Sequence, residues 1–190
     1  MPTCWIIAGP NGAGKTTFAL DYLPTKQECD RFLNTDLLAY AMNPLNPDSQ
    51  IMAAGRLFLS ELDKTINKGK SFAFETTLSG KSYLRVLRRM KEAGWYLHLV
   101  YLAISAADVS AQRVAERVLK GGHDVPQEDL ERRFPRSLRN LFGEYSKVVD
   151  FTQCYWNEDC SQELLFQIKD GDLTILDEFR YTYLQKLCQK

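Results

Sequence analysis

The sequence predicts an α/β fold in three layers, with a mostly parallel sheet covered by helices on both faces. Apolar segments of strand length alternate with helical segments up to about residue 150, an order typical of parallel sheets. The chain has 190 residues, the length of about one domain. Its 45% hydrophobic and 25% charged residues are ordinary for a globular protein and exclude wholesale disorder.

The strands of this predicted sheet are short apolar runs bounded by turn residues. The run at 3–8 ends in a glycine and has the pattern of a strand buried on both faces. The five predicted strands cover residues 3–8, 31–34, 71–74, 96–104 and 151–156. They make up a five-stranded core sheet. Two further segments, 164–168 and 173–175, flank the turn residues at 170–172 and predict a hairpin or a strand followed by a turn.

The helices are predicted where apolar residues recur at helical spacing between turn residues. The clearest pattern lies in 49–68, where Gly69 follows as a C-cap. The predicted helices cover residues 15–22, 49–68, 81–93, 108–120, 126–139, 141–149 and 177–188. We expect a single domain over 1–190, with a C-terminal extension at about 157–190.

The charge of the chain is zero overall but uneven along its length. The 24 basic residues balance the 24 acidic ones, which argues against a protein that coats nucleic acid by bulk charge. Residues 79–139, however, carry 12 basic and 7 acidic side chains, a balance of +5. The neutral total favours no nucleic-acid partner. The positive stretch is compatible with a local site for an anion.

Cysteine usage and hydropathy indicate the compartment. The five cysteines are scattered and form no CxxC pair; they are Cys4, Cys29, Cys154, Cys160 and Cys188. This pattern is typical of reduced thiols. The first residues show no signal-peptide pattern, and no stretch approaches the roughly 20 apolar residues of a membrane helix. We expect a cytoplasmic protein without a membrane partner.

A glycine-rich segment between the first predicted strand and helix carries the strongest functional motif. It matches GxxxxGK(S/T) without a gap, through Gly9, Pro10, Asn11, Gly12, Ala13, Gly14, Lys15 and Thr16, with Thr17 directly after. Glycines let backbone N–H groups curl around phosphate oxygens, and the helix N-terminus adds unpaired donors. Lys15 would supply charge to the phosphates, and the Thr16 hydroxyl would be a Mg²⁺ ligand. The motif predicts a three-layer P-loop NTPase fold.

Two carboxylates follow neighbouring predicted strands. Asp36 comes after the second strand and Glu75 after the third, so both point toward the cleft that holds phosphates. A carboxylate there can accept a hydroxyl proton or hold Mg²⁺. For Asp36 the alternative is the N-cap of a helix beginning near Leu37, and the residues alone favour neither role. No apolar strand ends in an aspartate typical of motor ATPases, which favours a nucleotide-kinase-like fold.

Arginines cluster on two helices around a glycine break at 121–122. Arg113 and Arg117 precede the break, and Arg132, Arg133 and Arg136 follow it. This order is typical of a mobile helical lid, here about 113–139, that closes guanidinium groups onto a transferring phosphate. The alternative for each arginine is a solvated helix face paired with nearby glutamates.

Five motifs in a fixed order resemble one family. They are GPNGAGKTTFA, NTDLLA, FAFETTLSG, GGHDVP and RRFPRSL. Together they resemble the compact zeta-toxin-like P-loop kinases over roughly residues 3–150. The better-characterised zeta toxins phosphorylate UDP-N-acetylglucosamine with ATP and Mg²⁺. The resemblance implies Asp36 as the base, Glu75 as a ligand of acceptor or metal, and phosphate contacts from Lys15, Arg117 and either Arg132 or Arg133.

Three hypotheses follow for the function. The leading one is an ATP-dependent kinase that phosphorylates a small hydroxyl-bearing molecule, such as a nucleotide sugar. The second is a toxin-like nucleotide-binding module or ATPase controlled by an antitoxin-like protein partner. The third is a nucleic-acid end kinase, against which stands the lack of a basic and aromatic track outside the lid.

Overall fold

The computed structural model describes residues 1–26, 29–119, 121–158 and 161–188. Their strands form one seven-stranded sheet with the spatial order β2-β3-β1-β4-β5-β6-β7. The strands are β1 Thr3–Ala8, β2 Phe32–Leu33, β3 Phe72–Thr76, β4 Tyr96–Ala103, β5 Phe151–Glu158, β6 Ser161–Lys169 and β7 Asp172–Ile175.

The sheet is mixed but mostly parallel. β2, β3, β1, β4 and β5 pair in parallel and correspond to the five predicted strands. β6 and β7 then add two antiparallel strands. The five predicted strands are therefore the parallel part of the sheet, and the sheet as a whole has two more strands. The segments predicted as a hairpin form these two strands, and β6 pairs with β5 at what would otherwise be an open edge.

Helices cover both faces of the sheet. They are α1 Lys15–Tyr22, α2 Thr35–Met42, α3 Ile51–Asn67, α4 Ser82–Glu92, α5 Ala107–Leu119, α6 Gln127–Asn140, α7 Ser146–Val148 and α8 Glu178–Leu187. Short 3₁₀ turns lie at Leu23–Thr25 and Pro47–Gln50, and a π-helical turn at Leu141–Tyr145 joins α6 to α7. The predicted helices at 126–139 and 141–149 thus form one uninterrupted helical segment.

The core lies on both faces of the central strands. Every residue from Cys4 to Ala8 in β1 is buried, as a strand covered by two helical layers requires. In α4 the buried residues are Leu84, Leu87 and Met90, one apolar stripe at helical spacing. This rigid centre fixes the carboxyl ends of β1, β2 and β3, where loops meet in a shared crevice.

The described part of the C-terminal segment belongs to the same fold. β6 buries Leu165 and Phe166 completely, and α8 buries Leu184. Asp177 caps α8 by accepting a hydrogen bond from the Arg180 N–H. The predicted extension therefore widens the sheet and adds a covering helix.

The structure bears on two of the expectations about compartment, the state of the thiols and the membrane helix. Cys4, Cys29, Cys154 and Cys188 are free thiols, and Cys160 lies outside the described residues. In the described ranges, no helix combines the length and apolar character that crossing a membrane would need.

Candidate active site

The P-loop lies between β1 and α1, where the motif predicts it. Gly9, Gly12 and Gly14 all have positive φ angles, which side-chain-bearing residues rarely adopt. At Gly9 the reason is also steric, because an added Cβ would lie 2.4 Å from the Leu102 carbonyl oxygen. The glycines thus let the loop turn sharply against β4.

Distant residues brace this loop from outside. The Ser110 hydroxyl donates to the Asn11 carbonyl at 2.6 Å, and the Asn157 side chain donates to the Ala13 carbonyl at 2.7 Å. Arg113 donates to the Asn157 carbonyl at 2.9 Å and to the Gly12 carbonyl at 3.4 Å. Arg113 was predicted to bind the nucleotide, and the structure places its guanidinium against the back of the loop.

Beside the loop, Glu75 joins three elements. Its Oε2 accepts hydrogen bonds from the Thr16 hydroxyl at 2.8 Å and from Asn34 Nδ2 at 2.6 Å. Its Oε1 lies 3.7 Å from the Lys15 ammonium, which also donates to the Pro10 carbonyl at 2.8 Å. The predicted P-loop residues Lys15 and Thr16 and the strand-end Glu75 therefore come together as one cluster.

Lys15 is 7% exposed, and its environment changes its acidity. Burial lowers the pKa of the ammonium, which is the largest effect. The negative charges of Glu75 and Asp36 act in the opposite direction, and the positive charge of Arg117 lowers the pKa further. The charges of both carboxylates and of Arg117 thus act on this one buried lysine.

Asp36 does not cap α2. Asn34, which is 4% exposed, does so instead, since its Oδ1 accepts from the backbone N–H groups of Asp36 at 2.7 Å and of Leu37 at 3.1 Å. The alternative role considered for Asp36 was therefore wrong, because the helix begins at Thr35, two residues earlier than expected. The Asp36 carboxylate has no hydrogen bond or ion pair within the described ranges, and it faces a cavity.

This cavity, which we call the acceptor cavity, has a volume of about 430 Å³. Ligand pockets in proteins are commonly about 300–1,000 Å³, so it suits a small molecule. Lys15 and Asn11 form its P-loop wall, and Asp36 and Glu75 line the strand-end side. The other lining residues are mostly polar. They lie at the starts of α2 and α3, between the end of β3 and the start of α4, and in the predicted lid, and include Asn34, Thr35, Thr76, Thr77, Ser79, Ser82, Arg117, His123 and Arg133.

The predicted lid arginines occupy different positions. Arg117 lines the acceptor cavity and donates to the His123 carbonyl at 2.6 Å. Arg133 also lines it and pairs with Asp129 at 2.7 Å. Arg132 pairs with the same Asp129, is 53% exposed and lies outside the cavity wall. Of the two arginines that the resemblance left open, Arg133 is the one at the cavity.

The helices that carry these arginines have their own small core. Val114, Val125 and Leu130 form a buried cluster separate from the main one, whereas Phe134 further along α6 belongs to the main core. A helical unit with separate packing can move with less disruption of the sheet. This arrangement supports the proposal of a lid.

His123 also contacts a residue outside the cavity lining. Its Nδ1 contacts Asp48 in the 3₁₀ turn between α2 and α3. The sequence distance between these two residues explains why no local pattern indicated the contact. Together with the Arg117 bond to its carbonyl, this contact holds the loop at 121–125 across the cavity.

The site meets the chemical demands of a nucleotide with Mg²⁺. Asn11 Oδ1 and Arg117 Nε are buried without a hydrogen-bond partner among the described residues, and Lys15 is a buried cation beside them. A polyphosphate would satisfy the cationic groups. The Thr16 hydroxyl and the Glu75 carboxylate are hard oxygen donors of the kind that Mg²⁺ prefers. Thr17 is exposed on the first turn of α1.

The family is established by comparison with known proteins. The AAA domain family (AAA_33) matches residues 4–135, more than two thirds of the chain, and the chain belongs to this family. It is also 30% identical to an uncharacterized protein of Haemophilus influenzae over 126 residues, which cover 66% of this chain and 88% of the relative.

Solved structures share the fold at low sequence identity. A chain of the AvrRxo1-ORF1:ORF2 complex solved with ATP superposes with a TM-score of 0.74 at 14% identity, over 99% of this chain. This chain spans 64% of that chain's length. The PezAT toxin–antitoxin system of Streptococcus pneumoniae gives 0.63 at 16% identity, covering 100% of this chain and 86% of the other. A putative kinase from Chloroflexus aurantiacus gives 0.55 at 19%, covering 71% and 79%. The fold is that of a P-loop kinase.

Proposed function

As a member of the AAA domain family with a P-loop kinase fold, the chain is, we propose, a kinase that transfers the γ-phosphate of ATP to a hydroxyl of a small molecule. The observation that carries this proposal is the Asp36 carboxylate, which has no hydrogen bond or ion pair among the described residues and lines a polar cavity that shares Lys15 with the P-loop. A donor phosphate on the loop and an acceptor hydroxyl in the cavity would then meet at Lys15. Such transfer depends mainly on positioning and charge neutralisation.

Each residue of the cluster has a role in this proposal. The loop from Gly9 to Thr16 binds the phosphates, and Lys15 neutralises charge at the junction with the acceptor. Bound Mg²⁺ would neutralise charge on the phosphates, held by Thr16 and by Glu75 directly or through water. Asp36 takes the proton from the acceptor hydroxyl.

The lid arginines complete the proposed site. Arg117 and Arg133 line the acceptor cavity from the lid side and would contact the transferring phosphate. Arg132 lies outside the wall, so its contribution depends on lid closure. Exclusion of water by the closed lid would suppress wasteful hydrolysis of ATP.

The acceptor we propose is a nucleotide sugar, with UDP-N-acetylglucosamine as the first compound to test. Resemblance to the zeta toxins motivates the compound, and the predominantly polar wall of the cavity supports a polar acceptor. The cavity supports a polar acceptor of small size, and the nucleotide sugar rests on the resemblance.

Control by a protein partner is the second candidate. Two structural neighbours are components of two-protein systems, AvrRxo1-ORF1:ORF2 and PezAT. An antitoxin-like partner would cover the mouth of the cavity and block the nucleotide. A pull-down that recovers a stable stoichiometric partner would support this control. Equal kinase activity with and without that partner would contradict it.

Labelled ATP tests the kinase proposal. The protein is incubated with γ-labelled ATP, Mg²⁺ and a metabolite extract, and the product that gains label is identified. We expect label in a small molecule, loss of transfer in Asp36→Asn, and retained ATP binding in that variant. Asp21→Asn, an exposed α1 carboxylate, is the matched control. Label that appears only in free phosphate would show an ATPase, and a wild-type rate for Asp36→Asn on the identified acceptor would exclude Asp36 as the base.

A further inference from the structure

A second groove opens next to the acceptor cavity. It has a volume of about 340 Å³ and lies between the start of α4 and the second half of α6. Ser79 lines both the cavity and this groove, so the two are neighbours across one side chain. The other residues used below are Lys81, Arg136, Arg139 and Glu144, and we call this feature the basic groove.

The basic groove carries an excess of positive charge. Among the described residues, three cations line it, Lys81, Arg136 and Arg139, against the single carboxylate of Glu144. Lys81 donates to Glu144 at 2.5 Å, and this contact is the largest cause that lowers the pKa of that carboxyl. The formal charge of the lining side chains is therefore +2.

The two arginines are not neutralised by their own helix. Arg136 has no hydrogen bond or ion pair within the described ranges, and Arg139 makes only a 3.4 Å bond to the Cys188 carbonyl. Their neighbours three and four positions away along the chain include no carboxylate. Two like charges three residues apart repel each other on a helix, so an anion between them would relieve an existing repulsion.

The groove is also rigidly attached to the cavity. From the same α6 helix, Ser137 donates to the Thr77 carbonyl at 2.6 Å and Asn140 to the Leu78 carbonyl at 2.7 Å. Tyr145 in the π-helical turn donates to the Gly80 carbonyl at 2.8 Å. These bonds fix the loop that forms the cavity floor to the helix that carries the arginines. The distance between the groove and the cavity is thereby set.

We propose that the basic groove binds a phosphate group of the acceptor while the acceptor's hydroxyl lies near Asp36. This inference rests on the proposed kinase function. It narrows the acceptor from any small hydroxyl-bearing molecule to one that already carries a phosphate group, as a nucleotide sugar does. A phosphate monoester carries a charge of about −1.5 to −2 and several acceptor oxygens. This charge matches a +2 groove whose cations are Lys81 at the N-cap of α4 and two arginines of α6. A carboxylate carries one charge and is satisfied by a single arginine.

Binding of inorganic pyrophosphate tests the groove independently of catalysis. The protein is first saturated with Mg²⁺ and a non-hydrolysable ATP analogue, so that the P-loop is filled, and pyrophosphate is added in a calorimetric titration. We expect Arg136→Gln/Arg139→Gln to bind it about tenfold or more weakly, since charged hydrogen bonds are lost. Arg56→Gln/Lys70→Gln, the same charge change on exposed residues elsewhere, should bind like the wild type.

A gain-of-binding variant excludes misfolding as an explanation. Glu144→Gln removes the one carboxylate that the described part of the chain contributes to the groove, and it should tighten pyrophosphate binding several-fold. Equal binding by the wild type and the double arginine variant, or none by the analogue-loaded wild type, would overturn the groove proposal. If the labelled-ATP assay still labels a metabolite in that case, the kinase proposal stands alone. If no metabolite is labelled but pyrophosphate binding follows these variants, the groove stands as a phosphate-binding site, and the kinase proposal fails together with the assignment of that phosphate to an acceptor.

Discussion

Replacing Asn34 should damage the fold and the site together. Asn34→Ala removes the side-chain cap of α2, which costs about 1 kcal/mol. It also removes the 2.6 Å hydrogen bond to the Glu75 carboxylate, and bonds to charged groups contribute about 1.5–3 kcal/mol. Because Asn34 is 4% exposed, water cannot replace it freely. The sum is about 3 kcal/mol, or roughly 6–12 °C in Tm for a chain of this length.

Urea and thermal unfolding of three variants separate the two effects. Asn34→Ser supplies a hydroxyl that can cap the helix in place of the amide oxygen, and it should recover about 1 kcal/mol of the loss. Asn46→Ala is the matched control, because Asn46 also caps a helical turn, but an exposed one through a 3.3 Å bond to the Ser49 N–H. The control should lose less than about 1 kcal/mol. Equal losses for Asn34→Ala and Asn46→Ala would refute the assigned role of the Glu75 bond.

Three further outcomes are expected. Gly9→Ala should lose about 3 kcal/mol in urea unfolding, since its Cβ would meet the Leu102 carbonyl, whereas Gly55→Ala, with open space around it, should gain about 0.5–1 kcal/mol. Burial lowers the pKa of His98 to about 4 from an ordinary value near 6.5. As the pH falls, the unfolded chain therefore binds this proton before the folded chain does. The free energy of unfolding should drop between pH 6.5 and 4, by about 2 kcal/mol at pH 5. His98→Gln should flatten this pH dependence. On the identified acceptor, Arg133→Gln should lower kcat at least tenfold, and Arg132→Gln should lower it less; the reverse order would exchange their roles.

Local patterns were sufficient to predict the P-loop and most elements around it. The motif residues are contiguous, and the strand before them and the helix after them have the expected bounds, Thr3–Ala8 and Lys15–Tyr22. The periodicity of α4 and the turn at 170–172 are equally local. The extra strands beyond the five expected follow from pairing between β5 and β6, which hydropathy alone does not specify.

The parts of the site that the sequence did not indicate depend on contacts between distant residues. Asn157 braces the P-loop from 144 positions away along the chain, and nothing in the neighbourhood of either residue suggests the bond. Asn34 serves as cap and as donor to Glu75, so the cap role considered for Asp36 went to a residue two positions earlier. The position of Arg133 at the cavity, and of Arg132 outside it, depends on the rotation of α6 about its axis.

The attachment of α6 has a consequence for the coupling between the two ligands of the proposed site. The first half of α6 carries Arg133 of the proposed lid, and the second half is bonded to the floor of the acceptor cavity, with Pro135 between them. Whatever displaces one half therefore biases the other. Linkage then requires reciprocity: if nucleotide raises the affinity for acceptor, acceptor raises the affinity for nucleotide by the same factor. The nucleotide affinity of this protein should accordingly depend on the concentration of the acceptor proposed above.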